Sequence, residues 1–75
     1  MDVLGSLKPG ERGKVLQVKL QSSLRRRVLE MGLTPGVEFE VKGQAPLGDP
    51  LEITLRGYRL SLRREEANGI VVERG

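Results

Sequence analysis

Residues 37–63 read VEFEVKGQAPLGDPLEITLRGYRLSLR, and their periodicity decides the fold class. In the first six, Val37, Phe39 and Val41 alternate with Glu38, Glu40 and Lys42. Leu51, Ile53 and Leu55 repeat the scheme, and Tyr58, Leu60 and Leu62 repeat it again. Successive side chains of a strand point to opposite faces, so this period marks strands buried on one side. Gly57 stands between the last two runs and predicts a tight hairpin. Working outward, "KVLQVKL" at 14–20 sets Leu16, Val18 and Leu20 on one side, and "IVVE" at 70–73 supplies a fifth short run. Five short strands parted by Gly- and Pro-bearing turns predict a mainly β domain, a small barrel or sandwich. A closed sheet hides its edges.

One segment breaks the pattern. In residues 22–32, Leu24, Val28 and Met31 fall on one stripe at helical spacing. Ser22 or Ser23 is placed to cap the first turn through its hydroxyl. Gly32 supplies the left-handed residue that stops a helix, Leu33 the apolar contact that accompanies the stop, and Pro35-Gly36 a turn into the next strand. A helix of about nine residues is too short to hold alone in water and must pack on the sheet. Its "RRR" at 25–27 does not form one patch. Arg25 and Arg26 point away from the stripe, Arg27 borders it, and Arg26 is spaced to pair with Glu30. The triplet reads as a solvated helix face or as one or two arginines for a partner.

Seventy-five residues provide one domain, 1–75, and no second core. The chain has no Cys and no His, which excludes disulfides and leaves no soft ligands for a zinc or iron–sulfur site. Its acids are scattered, with Glu65-Glu66 the one adjacent pair. Thirteen basic residues against ten acidic ones give a net charge of +3, a mild excess that fits many kinds of partner. The N-terminus lacks the apolar centre of a signal peptide, and no apolar run approaches the roughly 20 residues of a membrane span. These features predict a soluble, cytoplasmic protein.

The segment "APLGDPLEI" at 45–53 is richer in constraint than a strand connection requires. Pro46 and Pro50 fix φ and remove two donors, Gly48 can take positive φ, and Asp49 can bond its own backbone. The loop is therefore stiff, with Leu47 at its tip. That leucine either folds back over an open barrel end or stands out as an apolar knob for a partner.

Chemical motifs are thin. "GSLKPGER" at 5–12 has the glycine spacing of a phosphate loop but Glu11-Arg12 where lysine and hydroxyl belong. Pro9-Gly10 reads instead as a turn into the first strand. No serine has a recognisable base beside it, and a barrel this small is expected to leave no substrate cleft, so no enzymatic activity is expected. Small barrels that bind nucleic acid use aromatic platforms in a basic groove. The two aromatics here, Phe39 and Tyr58, both fall on core-facing parity.

The stretches "RRRVLEMGLTPG", "VEFEV", "APLGDPLEI", "LSLRREEA" and "IVVE", with the opening "SLKPGERGKV", together resemble the FeoA family, a small cytoplasmic protein of bacterial ferrous-iron transport. The same pattern occurs as a C-terminal domain in iron-dependent repressors. The resemblance spans almost the whole chain and implies an SH3-like five-stranded barrel with one short helix between strands one and two. It implies no catalysis, no obligate cofactor, and a partner: the FeoB-type ferrous-iron permease with its cytosolic GTPase domain, the membrane being met only through it. Without His or Cys the chain is expected to act by contact rather than by holding iron. The motif positions carried over are Met31, Gly32, Leu33, Pro35 and Gly36 after the helix, Pro46, Leu47, Gly48, Asp49 and Pro50 in the loop, and Leu62 and Arg63 beyond it. The glycines and Leu62 read as structural. Arg26, Leu47, Asp49 and Arg63 are the expected partner-binding residues. Two other readings use the same residues, a stand-alone regulatory domain of iron-dependent repressor type and a small nucleic-acid-binding barrel. An open barrel edge could also support a weak homodimer.

Overall fold

The computed structural model describes residues 2–75. Its strands are β1 (Asp2–Val3), β2 (Arg12–Val18), β3 (Glu38–Gln44), β4 (Leu51–Leu55), β5 (Tyr58–Leu62) and β6 (Ile70–Arg74). Two helices, α1 (Ser22–Glu30) and α2 (Arg64–Ala67), and a 3-10 turn at Leu4–Ser6 complete the chain. All strand pairs are antiparallel, in the order β1-β6-β2-β3-β4-β5. The five expected runs are all strands, and α1 lies between the first two of them, β2 and β3.

Five strands in a closed barrel is corrected on two counts. Among the described residues there are six strands, because Asp2 and Val3 pair with Val72 and Val71. The sheet is also open, since among the described residues no ladder joins β1 to β5. Two residues cannot display an alternation, so β1 left no sequence signal. The segment behind it closes one end of the core, where Leu4 and Leu7 are fully buried.

The sheet curls where its ladders slip. Val15 pairs with Val72 and Gln17 with Val71, which leaves Leu16 as the extra residue of a bulge. The expected inward set of β2 is therefore wrong at Leu16, which is 39% exposed, while Val15 and Val18 are buried. A second bulge leaves Lys42 extra between the pairs Val41–Ile53 and Gly43–Glu52. Elsewhere alternation holds: Phe39, Val41, Leu51, Ile53, Leu55 and Leu62 all enter the core. Tyr58 does not. It heads the edge strand, is 45% exposed, and donates its hydroxyl to the Met31 carbonyl at 2.6 Å.

Helix α1 stops as its sequence requires. Gly32 takes φ +103°, its N–H bonds the Leu29 carbonyl at 3.0 Å, and the Leu33 N–H bonds the Val28 carbonyl at 3.2 Å. Two such bonds closing on a left-handed residue satisfy the last carbonyls and turn the chain, and Leu33 is driven into the core. Gly36 at φ +95° and the Val37 N–H to Thr34 carbonyl bond, 3.1 Å, then form the Pro35-Gly36 turn. The helix start differs from expectation. Gln21 occupies the cap without a side-chain bond, and Ser22, with φ +54°, does not cap. Only Val28 of α1 is fully buried; Leu29 and Met31 pack partly on the core and Leu24 is half-buried. Pro9-Gly10 forms the expected turn into β2, with Gly10 at φ +95°.

Candidate functional site

The stiff loop 45–50 projects from the junction of β3 and β4. Its base is closed by the Ala45 N–H to Pro50 carbonyl bond at 3.1 Å, and its tip by the Gly48 N–H to Ala45 carbonyl bond at 2.7 Å. Pro46 fixes one side of that turn and Gly48, at φ +82°, releases the other. Leu47 is carried between them and is 96% exposed. It is a knob, not a lid folded over the barrel end.

The loop is held from outside by α2. The Arg64 guanidinium donates to the Gly48 carbonyl from Nε at 2.8 Å and Nη2 at 2.6 Å, to the Gly5 carbonyl from Nη1, and to Gln44 Oε1 at 3.4 Å. Its backbone N–H donates to Asp49 Oδ1 at 3.0 Å. Asp49 was expected to bond its own loop; it bonds the first turn of α2 instead. A carboxylate accepting the otherwise unpartnered N–H of a helix start fixes both segments. Asp49 thus stands beside Arg63, the residue before that helix, whose side chain is exposed. The structure brings Leu47, Asp49 and Arg63 to one region.

Arg26 lies elsewhere. It lines a shallow hollow on α1 with Ser22, Arg25, Leu29 and Glu30. Its expected ion pair with Glu30 is not among those of the described residues. The paired arginine is Arg27, whose Nε lies 3.0 Å from Oε2 of Glu66. Glu66 is only 2% exposed, and its Oε1 accepts the Arg63 N–H at 2.9 Å. One short helix therefore anchors both neighbours: Arg64 holds the loop, and Glu66 holds α1.

Sequence reading missed Arg64 and Glu66. The signal for Glu66 was an acid three residues after the helix cap, as in a capping box, but with arginine where serine or threonine is usual. Arg64 left no signal, because its acceptors come from residues 5, 44, 48 and 49 of the folded chain. Two further motif positions are packed. Gly32 faces Tyr58, so that a Cβ there would lie 2.7 Å from the phenol oxygen, and Leu62 is fully buried.

A concavity is present after all. An open groove of about 570 Å³ runs across β2, β3, β4 and β6 near Phe39, Arg56 and Glu73. Its lining holds Thr54 and charged side chains of both signs, among them Lys14, Glu38, Glu40 and Glu73. Among the described residues no three acids converge as metal ligands, and no helix is long and apolar enough to cross a membrane.

A curled antiparallel sheet with a helix after its second strand and a rigid loop after its third is the SH3-like class of small β domain. The FeoA domain model matches residues 3–74, and the chain belongs to the FeoA family. It is 39% identical over 70 residues to a protein of Porphyromonas gingivalis that fuses Fe(2+) transport protein A to the Fe(2+) transporter FeoB. That match takes in 93% of this chain but only 8% of the relative. A FeoA-like protein from Clostridium acetobutylicum superposes with a TM-score of 0.89 at 40% identity, covering 96% of this chain and 84% of that one. FeoA from Stenotrophomonas maltophilia, solved with zinc and described as an SH3 domain protein possibly acting as a ferrous iron transport activating factor, superposes with a TM-score of 0.83 at 28% identity, over 97% and 91% of the two chains.

Proposed function

We propose that this chain is a cytoplasmic accessory protein of ferrous-iron uptake, acting by contact with a FeoB-type permease and performing no chemistry of its own. The observation that carries the reading is Leu47, 96% exposed at the tip of a loop whose carbonyl is gripped by Arg64. An immobilised apolar side chain meets a partner at low entropic cost. Asp49 and Arg63 form the polar rim beside it, and Arg26, on α1, would belong to a separate contact. The Porphyromonas relative, in which a similar region and a FeoB transporter share one chain, supports the choice of partner. It also favours transport over the repressor reading.

The test is titration of isotope-labelled protein with the soluble GTPase domain of the cognate permease. Amide shifts are expected at Leu47, Gly48 and Asp49 and at residues 63–64. Leu47→Ala is expected to weaken binding by more than about 1 kcal/mol without lowering Tm. A lowered Tm with unchanged affinity would make the loop structural and refute the assignment.

A further inference from the structure

The edge of β5 carries a feature that the Leu47 loop does not use. In a two-residue hairpin closed by Leu55 and Tyr58, the backbone groups of Tyr58, Leu60 and Leu62 face β4. Those of Arg59 and Ser61 face outward. No further strand takes them up, and among the described residues no other backbone group bonds them. The run ends at Arg63, whose N–H and carbonyl are committed to α2. Two residues' donors and acceptors are therefore open, flanked on one face by the half-exposed Tyr58 and the partly buried Leu60.

Charge defines what fits. Arg56, Arg59 and Arg63 are exposed along this edge. Among the described residues only Arg59 of the three is in an ion pair, with Glu52 at 3.6 Å, and the two side chains are 64% and 50% exposed and so weakly coupled. Pairing with a second copy would bring Arg56, Arg59 and Arg63 of both chains to one seam, which their mutual repulsion opposes. We infer that β5 accepts, as an added antiparallel strand, an extended partner segment that alternates apolar and acidic residues. The apolar set covers Tyr58 and Leu60, the acidic set meets Arg59 on the opposite face with Arg56 and Arg63 at the ends, and the backbone bonds Arg59 and Ser61. The inference does not rest on the iron-transport reading, because strand addition is decided by the edge and its charge.

The probe is a capped synthetic peptide of alternating valine and glutamate, titrated into the labelled chain. Amide shifts are expected at Arg59 and Ser61, with hydrogen exchange there slowed at least tenfold at saturation. Methylating peptide nitrogens on alternate residues, in the two possible phases, is expected to abolish binding in one phase and spare it in the other. Ser61→Pro removes one outward N–H at an edge position that tolerates proline, and is expected to weaken binding at least tenfold. Arg59→Glu is expected to lose the glutamate peptide and gain a valine–lysine one. Should Ser61→Pro fail to fold, the methylated peptides decide alone. The inference is overturned by equal binding in both methylated phases, by shifts centred on the groove near Phe39 or on the loop, by no binding at millimolar peptide, or by self-association of the chain through β5.

Discussion

Arg64 places two donors, Nε and Nη2, on the single carbonyl oxygen of Gly48, at 2.8 and 2.6 Å. The carbonyl is the one that follows Leu47, so the position of the exposed leucine is set by an arginine in another element. Arg64→Ala is expected to weaken the proposed partner contact about as much as Leu47→Ala, although Arg64 need not touch the partner. Arg64→Lys is not expected to rescue it, because an ammonium cannot reach several acceptors with a planar fork. Line-broadening or lost exchange protection confined to residues 45–50 would confirm the positioning role; an unchanged loop spectrum would refute it.

Glu66 and Arg27 are expected to respond unequally to deletion. Arg27 is 62% exposed and recovers water when its partner is lost, whereas Glu66 is buried and cannot. Glu66→Ala also strips the Arg63 N–H of its acceptor. An unpaired buried donor costs about 1–3 kcal/mol, so Glu66→Ala is expected to lower the unfolding free energy in urea by about that much, while Arg27→Ala, which leaves the Glu66 carboxylate buried without its counter-charge, is expected to lower it by more.

Gly32 and Tyr58 are expected to couple. A Cβ at Gly32 would meet the Tyr58 oxygen at 2.7 Å and Leu55 Cδ1 at 3.2 Å, at a backbone φ of +103°. Gly32→Ala should cost about 1–3 kcal/mol. Tyr58→Phe removes the hydroxyl that donates to Met31, a loss of about 0.5–1.5 kcal/mol. The double variant should be less damaged than the sum, since the phenylalanine no longer presents the clashing oxygen. Strict additivity in denaturant unfolding would contradict the close approach.

The bulge in β2 makes a prediction that reverses simple alternation. Leu16→Lys is expected to change stability by no more than about 0.5 kcal/mol, because the side chain already lies at the surface. Leu62→Ala, at a fully buried position, should cost about 2–5 kcal/mol. Urea unfolding of the two variants checks both, and a large loss at Leu16 would restore the unbulged register.

Much of the fold was legible because local rules agree with one another. The alternation in β3, β4 and β5, the Gly57 hairpin, and the Gly32 stop each follow from side-chain period or permitted φ, which depend on near neighbours. The loop's stiffness followed from Pro46, Gly48 and Pro50 in the same way. Leu16 and Tyr58 were misread because period alone cannot locate a bulge or tell an edge strand from a central one.

What the sequence by itself determined is the set of strands, the helix and its end, and the presence of a rigid loop tipped with leucine. Whether that leucine covered the core or met solvent was left open by its neighbours. Only the tertiary structure decided it, through an arginine seventeen residues away in sequence that binds carbonyls at residues 5 and 48 at once. Such a site has no local signature, since its acceptors are backbone groups that every residue carries, and only folding brings them together.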